Sequence, residues 1–183
     1  MSYPRSGITR FNSNFLLVLC GVNMKDLVYV EWVPAGTLIK ALVGFFSLLS
    51  LCILLITIAV GVAIQHPFLI VAFASPLAFV LLLFWNYRGI RIKVTTKSLL
   101  IYYGLFNRKC ILIADIVACE PTEASFGRYG GIGVRYGTDR SWAYTTSFGN
   151  AVKIILRKGK AFVFSSNSPE EICSIINQTK SVS

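Results

Sequence analysis

Residues 41–87 read ALVGFFSLLSLCILLITIAVGVAIQHPFLIVAFASPLAFVLLLFWNY and contain no Lys, Arg, Asp or Glu. A helix over all 47 residues would be about twice as long as the roughly 30 Å hydrocarbon core of a bilayer. A break is needed, and Gln65, His66 and Pro67 supply it, because proline lacks a backbone donor and disfavours helix at the residue before it. We predict an antiparallel hairpin of two membrane-spanning helices, over residues 37–64 and 68–85.

The composition supports a membrane protein. Hydrophobic residues make up 55% of the 183 residues and charged residues 14%, whereas soluble domains average about 45–50% and about 25%. This apolar content excludes a disordered chain. The five cysteines are scattered and form no Cys-X-X-Cys pair, which argues against a disulfide scaffold. We expect Cys173 to pack beside the apolar face of a C-terminal helix.

The basic residues predict the orientation of the hairpin. None lies in the turn, and six lie close to the outer ends of the uncharged stretch: Lys25, Lys40, Arg88, Arg91, Lys93 and Lys97. Because Lys and Arg are retained on the cytoplasmic side, we expect a multi-pass protein of the cell membrane with both termini in the cytoplasm. Four residues are predicted as anchors at the membrane interface: Trp32, Trp85, Tyr87 and Arg88.

Residues 1–36 are interpreted as an N-terminal lead-in. The apolar run at residues 15–22 is too short to cross a bilayer. Met24, Lys25 and Asp26 read like a beginning, so residues 1–23 are a candidate non-native extension, and both Met1 and Met24 stay open as the start. Residues 27–33 (LVYVEWV) are expected to form a short strand or an interfacial segment.

From residue 88 onward, short alternating segments bounded by turn residues replace the long apolar run. This pattern predicts about seven strands, with a hairpin turn at Lys158 and Gly159 and a loop over residues 120–133. The ending predicts a helix, because Ser168 suits the N-cap, Pro169 the first helical position and Glu171 the capping box. We therefore predict an α+β membrane protein, in which a β-roll capped by a C-terminal helix follows the hairpin.

Several segments resemble the bacterial pleckstrin-homology-like (PH-like) domain family, in its membrane-anchored type with two N-terminal transmembrane helices. The hairpin is followed by LLIYYGLFNR at residues 99–108, GIGVR at 131–135, VKIIL at 152–156 and SPEE at 168–171. Tyr29, Val30 and Glu31 resemble the lead-in of that family, and the resemblance covers roughly residues 24–178. It implies that residues 88–183 form a cytoplasmic seven-stranded PH-like domain, a binding scaffold that supplies no reaction.

The sequence offers little for catalysis. His66, the single histidine of the sequence, belongs to the predicted turn, so nucleophilic schemes lack a base in the C-terminal half. Glu120 and Glu123 are the one candidate acid–base pair, although ordinary surface charge explains them better. Cysteine and histidine are not clustered as zinc requires. We predict no catalytic, metal or cofactor-binding residues.

The net charge of +10 is concentrated after the hairpin, where residues 88–183 contain 14 Lys and Arg against 6 Asp and Glu. The candidate contact residues for an anionic lipid or a partner form two groups: Arg91, Lys93 and Lys97, then Arg157, Lys158 and Lys160. Each basic residue near an anionic leaflet contributes about 1 kcal/mol. The alternative is that these residues belong to an ordinary solvated surface. Their positive charge would then reflect only the retention of Lys and Arg on the cytoplasmic side. Nucleic acid is not expected as a partner of a membrane-tethered domain.

The leading hypothesis is a non-enzymatic, membrane-anchored protein that mediates protein–protein interaction or assembly through an unidentified membrane or cytoplasmic partner. Homo-oligomers are included, because small residues recur at helical spacing at Gly44, Ser47 and Ser50 and again at Ala74 and Ala78. The alternative hypothesis is a sensor of anionic lipids in the bilayer. A membrane enzyme that uses Glu120 and Glu123 ranks third.

Overall fold

The computed structural model describes residues 26–61, 66 and 68–182. Residues 1–23, which were interpreted as a candidate extension, lie outside the described part of the chain. Most of the predicted turn between the helices also lies outside it. Two helices are present within them, α1 (Thr37–Ala59) and α2 (Phe68–Asn86). Their starts agree with the predicted spans. α1 ends at Ala59 rather than at residue 64, because Gly61 takes a left-handed φ of 76° that stops the helix.

Both helices are long and apolar enough to cross a membrane. They contain 23 and 19 residues with a mean hydropathy of 2.6 and 2.5, and none of their side chains is buried. One polar contact joins them, since Ser50 Oγ donates a hydrogen bond to Phe73 O over 3.2 Å. Gly44 faces open space, and a methyl group there would meet no atom within 4 Å. Of the predicted small residues, Ser50 therefore contacts the other helix and Gly44 does not.

The first sheet begins before the helices. It consists of β1 (Leu27–Pro34), β2 (Gly89–Thr95), β3 (Ser98–Tyr103) and β4 (Asn107–Leu112), all antiparallel and in that order. β1 pairs with β2 from Leu27 opposite Thr95 to Pro34 opposite Gly89. The two helices are thus inserted between neighbouring strands. The predicted boundary at residue 88 leaves out β1, because pairing across so long an insertion has no local sequence signal.

The second sheet has the strand order β5-β8-β9-β7-β6, in which only β7 and β9 are parallel. Its strands are β5 (Ile116–Ala124), β6 (Gly133–Tyr136), β7 (Trp142–Thr145), β8 (Gly149–Leu156) and β9 (Phe162–Ser165). The described residues therefore form nine strands in two sheets. Eight of them follow residue 88, where about seven were expected, and β1 confirms the strand alternative for residues 27–33. The predicted loop at residues 120–133 is wrong in part, because β5 continues to Ala124 and a short helix, α3 (Phe126–Tyr129), follows.

The C-terminal helix α4 (Pro169–Val182) covers the core as predicted. Ile172, Cys173 and Ile176 are its buried side chains, and they pack with the inward residues of both sheets. Cys173 forms a disulfide with Cys119 of β5, 54 residues away, with 5.3 Å between the Cα atoms. This corrects the expectation that Cys173 merely packs there. Spacing in the sequence could not reveal the pair, because it depends on how α4 lies across β5.

The β domain has two distinct ends. At the end that meets the helices, here called the helix-proximal end, Gly36 N donates to Thr146 O over 2.9 Å and Leu105 N donates to Asn86 Oδ1 over 2.7 Å. β8 starts at this end with Gly149 and runs away from it for eight residues, or about 26 Å. The β8–β9 turn therefore lies at the opposite end, here called the distal end, where Arg157 N donates to Asp115 O.

Candidate interaction surface

The outer face of the first sheet combines basic, aromatic and aliphatic side chains. Strand alternation directs Ile90, Ile92 and Val94 into the core and leaves Arg91 and Lys93 on the other face. We call this surface the outer-face patch, and it consists of Val28, Val30, Trp32, Arg91, Lys93 and Tyr102. By the same alternation Leu100 belongs to this face, and its side chain is completely buried.

The two cations of the patch lie against aromatic rings. Arg91 Cζ is 5.5 Å from the centroid of the Trp32 ring, and Lys93 Nζ is 5.9 Å from that of Tyr102. The register places Arg91 opposite Trp32 on one side and Tyr102 on the other. Lys93 is opposite Leu100, so its contact with Tyr102 is a diagonal one. Cation–π contacts at exposed sites contribute about 0.5–1 kcal/mol. They hold both cations over the sheet in fixed positions.

The positive charge of the patch is not neutralised. Within the described part of the chain, neither Arg91 nor Lys93 has an ion-pair partner. Burial, and then the charge of Arg91, lower the pKa of Lys93. Burial raises the pKa of Tyr102, against the opposing effect of the charges of Arg108 and Arg91. Tyr102 Oη is itself buried and has no hydrogen-bond partner among the residues that the structure describes. An incoming carboxylate would relieve the repulsion between the two cations.

The remaining predicted contact residues lie elsewhere. Lys97 belongs to the β2–β3 turn at the distal end. Arg157 and Lys158 follow β8 at that same end, and Lys160 Nζ lies 4.4 Å from the Tyr136 ring centroid. The structure therefore brings Arg91 and Lys93 together and places the other four basic residues at the distal end.

The four predicted interface anchors occupy three different environments. Trp85 is exposed at the end of α2, with Arg88 Cζ 5.2 Å from its ring centroid. Tyr87 packs inward against Tyr103, with 5.3 Å between the ring centroids. Trp32 belongs to β1 and contributes to the outer-face patch. Of the four, Trp85 therefore has the exposed position at a helix end that an anchor needs, and Arg88 lies half-buried beside it.

Sequence reasoning missed Glu31, which positions the patch. Its side chain is only 8% exposed. Glu31 Oε2 accepts a hydrogen bond from Ser166 Oγ over 3.0 Å, and Oε1 accepts one from Asn167 N over 2.5 Å. Asn167 Nδ2 also donates to Trp32 O over 3.3 Å. These bonds fix β1 to the segment before α4. A carboxylate in an otherwise apolar strand was the signal available in the sequence.

The candidate acid–base pair is not assembled. Glu120 and Glu123 lie three residues apart on β5, opposite Lys153 and Asn150. Since side chains alternate along a strand, the two carboxylates point to opposite faces of the sheet. Metal ligands are not grouped either, because no three His, Cys, Asp or Glu residues come together among the residues that the structure describes.

A cleft of about 430 Å³ opens between the first sheet and β6. It is lined by Tyr87, Tyr103, Asn107 and residues 132–135. Burial and the neighbouring Tyr87 raise the pKa of Tyr103 to about 12, so its hydroxyl stays protonated and donates to Thr145 O. The cleft therefore contains hydroxyl and amide groups rather than a poised acid or base. Comparisons of the chain with protein-family models, with curated proteins and with solved structures give no match.

Proposed function

We propose that this protein is a membrane-anchored interaction module that binds an acidic, partly apolar segment of another protein on the outer-face patch. In this proposal α1 and α2 cross the cell membrane, and the β domain lies in the cytoplasm as a PH-like scaffold. The observation that carries it is the pair of cations, Arg91 and Lys93, held over aromatic rings without an ion-pair partner in the described residues.

The chemistry of the patch favours a protein partner. Arg, Trp and Tyr are enriched among the residues that contribute most to protein–protein binding. Trp32 and Arg91 form such a pair, and the exposed Val28 and Val30 extend it with aliphatic surface. A carboxylate of the partner would bind the two cations while its apolar side chains cover the valines. Desolvated charge of this kind is selective, because a basic partner would be repelled.

The position of the basic turn counts against the alternative, in which Arg157, Lys158 and Lys160 bind anionic lipid. That turn lies at the distal end, about 26 Å from the start of β8 at the helix-proximal end. The Debye length is about 8 Å at physiological ionic strength, so the field of the anchoring membrane is strongly screened there. The enzyme hypothesis loses its one candidate pair through the opposite orientation of Glu120 and Glu123.

The cytoplasmic location rests on the basic residues that flank the helices. In that compartment thiols are kept reduced, so we expect Cys119 and Cys173 to be thiols in the cell and to form the disulfide when oxidised. Their Cα separation of 5.3 Å falls within the range of bonded cysteines. No rearrangement of β5 and α4 is needed between the two states.

Site-specific photocrosslinking in native membranes tests the proposal. We would place p-benzoylphenylalanine at Val30 of the full chain and compare the parent with an Arg91→Glu, Lys93→Glu variant. The matched control, Arg157→Glu and Lys158→Glu, makes the same charge change at the distal end. We expect a discrete protein adduct in the parent and the control and its loss in the patch variant. No adduct, or the same adduct in all three proteins, would overturn the proposal. An adduct of twice the protein's own mass would identify a second copy as the partner.

A further inference from the structure

Five large apolar side chains are exposed together at the helix-proximal end. Their exposed fractions are 70% for Trp85, 57% for Leu105, 81% for Phe106, 66% for Phe126 and 41% for Phe148. They come from four separate segments: the end of α2, the β3–β4 turn, the start of α3 and the β7–β8 turn. We call this set the helix-proximal rim. Apolar residues exposed together, as distinct from single ones, mark an interaction surface.

The rim is fixed to the helix ends on both sides. On one side, Asn86 Oδ1 accepts a hydrogen bond from Leu105 N over 2.7 Å. Gly104 makes this approach possible, because its φ is 70° and an added Cβ would lie 2.8 Å from Asn86 O. The β3–β4 turn, with Leu105 and Phe106, is therefore locked against the last residue of α2.

The other side is built in the same way. Gly36 N, one residue before α1, donates to Thr146 O over 2.9 Å, and a Cβ at Gly36 would lie 2.9 Å from Ser147 Cβ. The β7–β8 turn is thus held at the start of α1. Its Phe148 packs edge-on against Phe126, with 5.9 Å between the ring centroids. The rim is therefore bonded to the start of α1 and to the end of α2.

We infer that the helix-proximal rim is immersed in the headgroup and upper acyl region of the bilayer, so that the β domain lies against the membrane in one orientation. This inference rests on the proposed crossing of the membrane by α1 and α2. Their ends at Thr37 and Asn86 then lie at the interface, and the rim, bonded to those ends, lies at the same depth. The rim continues the apolar surface of the helices, so we assign the bilayer as its occupant.

Two arginines beside the rim suit this depth. Arg88 lies over the Trp85 ring, and Arg108 Nε donates to Leu105 O over 3.1 Å. Tryptophan is enriched at membrane interfaces, where one end of its ring has apolar surroundings and the other contacts water. Guanidinium groups bind phosphate in a bidentate way, through two parallel hydrogen bonds. A rim of apolar side chains with two arginines beside it therefore suits the boundary between the acyl chains and the phosphates of a bilayer.

Photocrosslinking to lipid tests the inference and keeps it separate from the proposed function. The full chain would be reconstituted into vesicles of phosphatidylcholine and phosphatidylglycerol, with p-benzoylphenylalanine at one of three positions: Leu82 in α2, Phe106 in the rim, or Tyr136 at the distal end. After illumination, mass spectrometry would detect phospholipid adducts. We expect phospholipid adducts with the probe at Leu82 or at Phe106 and none with the probe at Tyr136.

The three positions separate the possible failures. Adducts at Leu82 without any at Phe106 would overturn the immersion of the rim and leave the membrane helices standing. An absence of adducts at Leu82 would overturn both the crossing of the membrane and the inference that rests on it. A protein adduct at Phe106 would show that a partner or a second copy covers the rim, which also contradicts the inference.

Discussion

Glu31 accepts the backbone N–H of Asn167, 136 residues later in the chain, over 2.5 Å. This partly buried bond joins β1, the strand before the helices, to the segment that precedes α4. Removal of a hydrogen bond to a charged acceptor costs about 1.5–3 kcal/mol. We expect Glu31→Ala to lower the free energy of unfolding by about 2 kcal/mol, as measured by tryptophan fluorescence during thermal unfolding of the detergent-solubilised chain.

Glu170→Gln is the matched control, because Glu170 is exposed in the first turn of α4 and loses only a weak interaction with the helix dipole. Equal melting temperatures for Glu31→Ala and the unmodified chain would contradict the structural role of Glu31. An intermediate loss in Glu31→Gln, which keeps the shape and one acceptor, would attribute the effect to the hydrogen bonds.

The disulfide predicts a non-additive pair of substitutions. Cys119 and Cys173 close a loop of 54 residues, and the chain-entropy model gives about 4 kcal/mol for a loop of this length. We expect Cys119→Ala and Cys173→Ala each to lose most of this free energy of unfolding in protein purified under oxidising conditions. The double variant should lose little more. Additive losses would mean that the bond does not form, and Cys52→Ala, at an exposed free cysteine of α1, serves as the control.

Asp139 predicts a pH-dependent stability. Burial raises its pKa, but the hydrogen bonds from Ser141 and the charges of Lys153 and Arg128 outweigh burial and hold the pKa below the ordinary 3.8. A lowered carboxyl pKa stabilises the folded state above the ordinary value, and this contribution is lost as the pH falls through the folded value. We expect Asp139→Asn to melt at a lower temperature than the unmodified chain at pH 7.

The same comparison below pH 3.8 should show a smaller difference in melting temperature between the two proteins. Protonation of Asp139 then removes its charge, and with it the stabilisation that Asp139→Asn lacks. A gap that stays constant from pH 7 to pH 3 would exclude an ionic contribution. Glu123→Gln, at an exposed position of β5, should leave the melting temperature nearly unchanged throughout.

The orientation of the chain predicts a labelling pattern. Of the six flanking basic residues, five lie outside the spans, Lys40 lies in the first turn of α1, and none lies in the turn between the helices. Transfer of one of them to the bilayer centre costs about 2.5–3.5 kcal/mol on insertion scales. Gln65→Cys should therefore react with a membrane-impermeant thiol reagent added to intact cells, and Ser183→Cys should react only after permeabilisation. The comparison is made against the unmodified chain, whose own cysteines set the background. Labelling of the Ser183→Cys variant in intact cells would contradict the proposed orientation.

Features that depend on neighbouring residues were predictable from the sequence. The uncharged stretch at residues 41–87 predicted the two helices, and Ser168 and Pro169 predicted the start of α4. The turn at Lys158 and Gly159 predicted the β8–β9 hairpin, which the structure contains. Pairings between strands that are distant in the sequence were not predictable, because they have no local signal. The part of β5 after Cys119 was not predicted either. Most of its side chains are at least partly exposed, so the sequence there lacks the alternation that marks a half-buried strand.

The candidate surface shows the same limit. Arg91 and Lys93 were predicted as contact residues from their charge. Their aromatic partners could not be assigned, because Trp32 lies on β1 and meets Arg91 only through the pairing of β1 with β2. Tryptophan beside an apolar stretch reads as an interface anchor, and only the strand register places it on the outer face of a sheet.

The insertion of both helices between β1 and β2 has a consequence for biosynthesis. The 54 residues between Pro34 and Gly89 take roughly 3 to 11 s to translate at about 5–20 residues per second. During that time β1 waits, as an unpaired strand, for a partner that does not yet exist. If only one helix crossed the membrane, β1 and β2 would emerge on opposite sides, and the first sheet could never form. If α1 and α2 cross the membrane as proposed, the β domain can therefore be completed only when both helices have been inserted, and a chain with one inserted helix keeps β1 as an unpaired strand.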